Sequence, residues 1–353
     1  MIKLLDKYIF THVLMGTLLV LFVLTSINAF LELLNQFEDV GRHQYGSLQA
    51  AIYVFYTLPG RIYELLPSAT LIGSLVGLGT LASSSQITAM RAAGVSVLDF
   101  IFSSFKSGLV IALLAFVLGE WLSPVSWQLG EEMRATALSE QLNINRKGGL
   151  WLRDQNRFVH AGSVIDDRHL KDVTVYSFKG LELTSVTQAD SVELKGSSWV
   201  MSDAMITSIS KQQVVSKAGT SVDLGQLVPE GMLDVLRIVP EQMSGRDLFQ
   251  YIKYMHANDL DGASYQLAFV NRFIHPLTIL VMMFISVPFL FAHQRGGGAG
   301  QRLFFGVLLG LSFYILNKLF NELGVVYGVP VLISALLVPM IAVASGWYFV
   351  RKI

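Results

Sequence analysis

Few residues of this chain have the types and spacing that chemistry needs. Two Ser-x-x-Lys pairs, Ser103 with Lys106 and Ser208 with Lys211, match a fragment of the serine-acylase signature. Neither carries the companion motifs, so neither is read as a nucleophile. One glycine-rich run, Arg295-Gly-Gly-Gly-Ala-Gly-Gln-Arg302, lacks the terminal Gly-Lys-Ser/Thr that would bring a lysine to nucleotide phosphates. It reads as a turn between two apolar segments. The 7 histidines show no ligand spacing such as i, i+4 on one helix, and His275-Pro276 suits a kink with a polar contact better than a metal. With 0 cysteines, disulfides, thiolate metal sites and thiol nucleophiles are excluded. No catalytic residue, cofactor or metal is expected.

Two other groups stand out. Ser83 to Ser96 contains a segment in which Ser84 or Ser85 caps a short helix, Ile87, Met90 and Arg91 share a face, and Gly94 takes the position after the helix end. With Gln86, these residues make an amphipathic peg that can dock a partner. The second group is charge at the ends of apolar stretches: Glu32, Arg61, Glu64, Lys318 and Glu322. Such groups are costly in lipid and face an internal cavity or a partner. Phe30, Leu33, Phe37, Leu65, Phe313 and Phe320 would then line a cavity for a large amphipathic cargo.

These residues must be positioned by membrane helices. Of the chain's 353 residues 52% are hydrophobic and 15% charged, and more than half of the charged residues fall between Pro124 and Tyr265. Net charge is zero, which gives no reason to expect nucleic acid. Six apolar stretches can cross roughly 30 Å of hydrocarbon: Phe10–Leu34, Arg61–Leu81, Asp99–Leu122, Gln266–Ala292, Leu303–Asn321 and Val329–Val350. Leu48–Leu58 either extends the second or lies in the interface. The first is too long for a signal-peptide core and lacks a cleavage site, so it is expected to remain as a span. Lys3, Lys7, Arg91, Arg295, Arg302, Arg351 and Lys352 fall on one side, which places both termini in the cytoplasm and the intervening domain in the periplasm.

Between Gly148 and Val239 the period changes from helical to alternating. Runs at Phe158–Ala161, Val173–Phe178, Ser185–Thr187, Ser197–Met201 and Gln213–Val215 are separated by turn signals such as Lys179-Gly180 and Lys195-Gly196, giving a sandwich, jellyroll or open barrel. Helices at Trp127–Leu142 and Ser244–Ala257 bracket it, the latter with Leu248, Phe249, Ile252 and Met255 on its apolar face. The expected fold is an α-helical polytopic membrane protein of six transmembrane helices with an inserted all-β, jellyroll-like periplasmic domain. Residues 1–123 hold three spans and the peg near 84–95, residues 124–265 the β domain with its flanking helices, and residues 266–353 the last three spans.

Several stretches in this order resemble one family. They are Leu5-Asp6-Lys7-Tyr8-Ile9, Leu58-Pro59 to Pro67, Gly77 to Ser83, Met90-Arg-Ala-Ala-Gly94, Gly119-Glu-Trp-Leu-Ser-Pro124, Gly149-Leu-Trp151, Tyr265-Gln-Leu, Pro276-Leu, Phe313-Tyr-Ile-Leu and Val326-Tyr-Gly-Val-Pro330. Together they resemble the lipopolysaccharide export permeases, LptF/LptG, and the LptG type more than the LptF type. The resemblance covers nearly the whole chain. It implies a heterodimer with an LptF-type permease, each partner having six spans and a β-jellyroll. It further implies an LptB-type ATPase dimer that binds the pegs and consumes the ATP. The cargo would be lipopolysaccharide, taken from the outer leaflet of the inner membrane and passed through LptC and LptA.

Two departures stand out against what the family leads one to expect. Gln86 stands where a glutamate is expected in the peg, and Glu32, Glu38 and Asp39 stand where lysines would meet lipid A phosphates. The cations then come from the partner subunit, from a bridging divalent ion, or from Arg42, Arg61 and Lys318. Two rival readings remain: a regulatory membrane protein that moves periplasmic partners without cargo, and a lipid-modifying enzyme. The latter lacks a His, Asp or Glu cluster at a membrane face.

Overall fold

The computed structural model describes residues 4–138, 150–154, 156–166, 168–180, 182–196, 198–210, 213–219, 221–225, 239–258, 260–292 and 299–351. The chain forms two compact units. One comprises residues 1–40, 47–130 and 263–353, and the other residues 41–46 and 131–262.

Among its described residues the first unit contains six helices long and apolar enough to cross a membrane. They are α1 (Leu4–Gln36), α2 (Ser47–Ser83), α4 (Val97–Val117) with its continuation, α7 (Ala263–Ala292), α8 (Ala299–Val326) and α9 (Val331–Val350), with the short α3 (Gln86–Ala92) between α2 and α4. The chain is thus a polytopic membrane protein. Residues 48–58 extend α2 and do not form a separate interfacial segment. Beyond α4 the chain passes through a π-turn, Leu118–Leu122, straight into α5 (Ser123–Ala137), so the third span continues into a helix that reaches the second unit in sequence.

Close backbone approach fixes α1 on α2. A Cβ on Gly73 would lie 2.3 Å from the Thr17 Cα, and one on Gly77 would lie 2.1 Å from the His12 carbonyl oxygen. Apolar side chains gain little by leaving lipid for one another, so association relies on contacts of this kind between small residues. One apolar cluster then runs through the unit, with Ile9 and Val13 of α1, Leu78 and Leu81 of α2, Ile87 of α3, Phe100 of α4 and Met283 of α7. A second joins Leu267 and Ile274 of α7 to Ala335 of α9.

The Ser103-x-x-Lys106 pair has a structural job. The Ser103 hydroxyl donates to Asp6 Oδ1 at 2.5 Å and the Lys106 ammonium to Asp6 Oδ2 at 2.7 Å, pinning the start of α1 to α4. Both oxygens of Asp6, a buried carboxylate on an apolar helix, are thereby satisfied. Lys211 and residues 293–298, the centre of the glycine-rich run, lie outside the described residues.

Among its described residues the second unit holds an antiparallel sheet of eight strands: β1 (Leu150–Asp154), β2 (Arg157–Asp166), β3 (His169–Lys179), β4 (Glu182–Lys195), β5 (Ser198–Ser202), β6 (Met205–Ile209), β7 (Val214–Ala218) and β8 (Ser221–Asp223). The first four form a meander. The sheet then forks along β4, whose first half pairs with β6 and second half with β5. Gly180 (φ 68°) and Gly196 (φ 66°) make the tight turns at the two ends of β4. Period-2 alternation holds: Leu152, Val159, Val173, Val175 and Met201 are buried, while Trp151 is more than half exposed and stacks on His160 and Tyr176.

α6 (Gly245–Ala257) begins at Ser244, whose hydroxyl accepts from the Asp247 amide at 3.2 Å. Its packed face differs from the expected set. Leu248 and Tyr251 are buried, whereas Phe249 is 61% exposed, because the stripe advances by three residues per turn and leaves Phe249 on the opposite side. The Tyr254 hydroxyl donates to the Arg153 carbonyl of β1 at 3.2 Å, covering part of a sheet edge.

Burial, with the Asp154 charge second, pushes the Tyr254 phenol up to about 12. A raised acid holds its proton in the folded state after the unfolded chain has lost it. The stabilisation is therefore fully present below pH about 10 and lost as pH rises towards 12. Tyr254→Phe should remove that alkaline component from a denaturant titration of the full chain in detergent. It should also weaken the α6–β1 contact by about 1 kcal/mol at neutral pH.

Candidate functional site

The peg is built from two terminating motifs. After α3, the Gly94 amide donates to the Arg91 carbonyl and the Val95 amide to the Met90 carbonyl, with Gly94 at φ 92°. This is the Schellman pattern, which needs a residue free to take positive φ. One residue later Ser96 and Asp99 form a capping box that starts α4: each side chain accepts from the other's backbone amide, at 3.2 and 3.0 Å. At the other end, neither serine caps α3. Ser85 takes φ 58° without a side-chain cap, and Ser84 donates to the Thr80 carbonyl at 2.9 Å, prolonging the end of α2 instead.

The expected docking face is therefore partly used within the chain. Ile87 is fully buried in the main cluster, so it anchors the peg and is not part of its exposed ridge. Gln86 accepts a hydrogen bond from the Tyr8 hydroxyl of α1 at 2.6 Å. Met90 is half-buried against the same cluster, while Arg91 is exposed. Between peg and α1 lies an open apolar cavity of about 420 Å³, lined by Leu5, Tyr8, Gln86, Ala89 and Met90.

The charges near the other end of α1 come together as a network. Arg61 pairs with Glu32 at 2.9 Å, donates to Asn28 Oδ1 at 2.8 Å and to Thr57 Oγ1 at 3.2 Å, and lies 5.8 Å from the centre of the Trp127 ring. Gln36 donates to the second Glu32 oxygen at 2.9 Å. Both charged side chains are 15% exposed. Glu32 on the facing helix thus neutralises Arg61 in this arrangement. Lys318 is exposed on α8 and is not part of this network.

Among the apolar candidates, Phe30 and Phe37 are exposed, and Leu33, Leu65 and Phe320 are half-buried. Phe313 packs against Leu71, Leu75 and Met282, so α2 and α7 hold it. α2 packs against both α1 and α8 and is the most covered span, while α1 and α8 are the least covered. Their apolar faces are open to lipid, to a partner or to cargo.

Residues 7–352 match the family described as lipopolysaccharide export system permease LptF/LptG. The chain belongs to the LptF/LptG family. It is 30% identical to the lipopolysaccharide export system permease protein LptG of Escherichia coli K12 over 355 residues, which are 99% of this chain and 98% of that one. It is 28% identical to the LptG protein of Haemophilus influenzae over 356 residues, 100% of this chain and 99% of that one. This LptF/LptG-family chain is accordingly a multi-pass inner-membrane permease. Among its described residues no cluster of three His, Cys, Asp or Glu could hold a metal ion.

Reading charges at span ends missed Asp6, in the first turn of α1, and Arg272, inside the fourth apolar stretch, which are 7% and 5% exposed. An ionisable residue within a span was the available signal for Arg272.

Proposed function

We propose that this chain is one permease subunit of a lipopolysaccharide exporter, paired with an LptF-type permease and driven by an LptB-type ATPase dimer that docks on the α3 peg. The observation that carries this reading is the peg itself. A seven-residue helix is fixed by a Schellman end, a capping box and a buried isoleucine, and beside it lies an apolar cavity large enough for a partner's side chain.

ATP is bound and hydrolysed on the partner. Its closure pushes the peg, and Gln86 transmits the push through Tyr8 to α1 without a salt bridge to the ATPase. The open faces of α1 and α8, with Phe30, Phe37 and Phe320, meet the acyl chains of lipopolysaccharide drawn from the outer leaflet. With Arg61 neutralised by Glu32, Lys318 and the partner's cations meet the lipid phosphates. Both termini lie in the cytoplasm, and the β unit lies in the periplasm, where it passes lipid towards a bridge of LptC- and LptA-type domains.

The test is purification of the tagged chain in mild detergent from its native membrane, followed by mass spectrometry. A small ATPase, a second six-span permease and bound lipopolysaccharide are expected. Recovery alone, with bulk phospholipid only, would favour a regulatory membrane protein. Ala89→Glu is the matching variant, because Ala89 is exposed and lines the cavity. A carboxylate forced into an apolar dock costs a few kcal/mol, so ATPase recovery should fall by about a hundredfold while membrane insertion and permease pairing persist.

A further inference from the structure

Spans two, three and four each carry a break in their helical hydrogen bonding, and side chains of α7 bridge two of them. In α2, Pro67 has no amide hydrogen for the Tyr63 carbonyl one turn earlier, and His275 Nε2 takes that place at 2.8 Å. A carbonyl only accepts, so Nε2 carries the hydrogen. In the third span the Ser123 amide bonds the Leu118 carbonyl across the π-turn. The next amide in that register belongs to Pro124, which has none, so the Gly119 carbonyl is left over. Arg272 Nη1 donates to it. The Arg272 guanidinium also lies 5.8 Å from the centre of the Tyr63 ring, which tilts against His275 at 4.3 Å. Gly119 is required here, since a Cβ would come within 2.5 Å of that ring. Pro276 has no amide hydrogen to offer the Arg272 carbonyl one turn earlier, so α7 also lacks a helical hydrogen bond here.

We propose that Arg272 is a positioning residue of the transport cycle, acting through the Gly119 carbonyl to set the angle at which the third span bends at Leu118–Leu122. The proposal deepens the exporter reading and rests on it for the word transport. The π-turn joins α4 to α5, turns of this kind are where helices bend, and a donor on its Gly119 carbonyl comes from a different span. This hydrogen bond therefore ties movement of α7 to the junction of α4 and α5. π-turns that persist inside helices commonly mark such functional points.

The chain has 0 cysteines, so spin labels at Leu109→Cys and Leu129→Cys report the bend without background. Both sites are exposed, one on each side of the π-turn. In the complex purified from its native membrane, the wild-type distance distribution should be narrow and that of Arg272→Gln broad or displaced. Pro124→Ala restores an amide hydrogen for Gly119, so the double variant Arg272→Gln/Pro124→Ala should return to the wild-type distribution. Lipopolysaccharide release per ATP hydrolysed should fall about tenfold in Arg272→Gln, the size of one hydrogen bond from a charged donor, and recover in the double variant. An Arg272→Gln distribution that overlays the wild type, or a double variant no better than the single, overturns the hinge. A changed distance with unchanged release per ATP overturns the positioning role. Failure of the exporter reading would show separately, as absence of release by the wild-type complex, while the distance comparison stays readable.

Discussion

Gly73→Leu is expected to abolish accumulation of folded protein in the membrane, the largest single effect in the molecule. A Cβ at this position would stand 2.3 Å from the Thr17 Cα, 2.5 Å from its nitrogen and 2.7 Å from the Gly16 carbonyl carbon. All three are backbone atoms, so no rotamer change relieves the clash and α1 must move away from α2. Overpacking relieved by side-chain shifts costs about 1–3 kcal/mol. Here two helices lose their register along a contact that also includes Gly16 and Gly77, so the cost exceeds that range. Gly310→Ala is the control. Its Cβ would meet Ile72 Cδ1 at 3.7 Å, an ordinary contact, and the variant should accumulate like wild type. Fluorescence-detected size-exclusion chromatography of the tagged protein reads both. A monodisperse Gly73→Leu peak of normal height would contradict close α1–α2 packing.

Arg61→Leu should lower thermal stability in detergent by about 3–5 kcal/mol, because it leaves the Glu32 carboxylate without its cation between packed helices. Replacing both partners removes the stranded charge. The double variant Arg61→Leu/Glu32→Leu should therefore recover most of the loss, since apolar replacement of a buried pair is often neutral. The cycle separates a structural ion pair from a cargo contact. If Arg61 bound a phosphate instead, the double variant would be as deficient in lipid retention as the single one. Recovery of stability together with normal lipid retention is the expected result.

The spans and the β unit were legible because their periods are long and unmixed: each apolar stretch is long enough to cross the hydrocarbon core, and the turns at Gly180 and Gly196 carry the residue type that positive φ demands. The short helix α3 and its end were legible for the same local reason, through Gly94. What escaped was set by neighbours distant in sequence. Gln86 and Ile87 lie on the face that α1 and the core cover, which no local pattern reveals. Arg61 and Glu32 are 29 positions apart and were each read as facing a cavity, whereas the α1–α2 contact makes them one pair. The strands β1, β6 and β8 are short, and the fork at β4 depends on tertiary pairing that alternation alone does not encode. The π-turn is invisible in composition and becomes intelligible only once Pro124 and Arg272 are seen to act on one carbonyl.

Movement of lipopolysaccharide by this chain, with energy from a separate ATPase, is the function proposed. It is tested most directly in proteoliposomes containing the complex purified from its native membrane, loaded with lipopolysaccharide and given ATP. ATP-dependent loss of lipopolysaccharide from the membrane to a soluble β-jellyroll acceptor is expected. This loss should be abolished by Ala89→Glu although the permease remains in the bilayer. Release without ATP, or no release from a complex that still hydrolyses ATP, would contradict it.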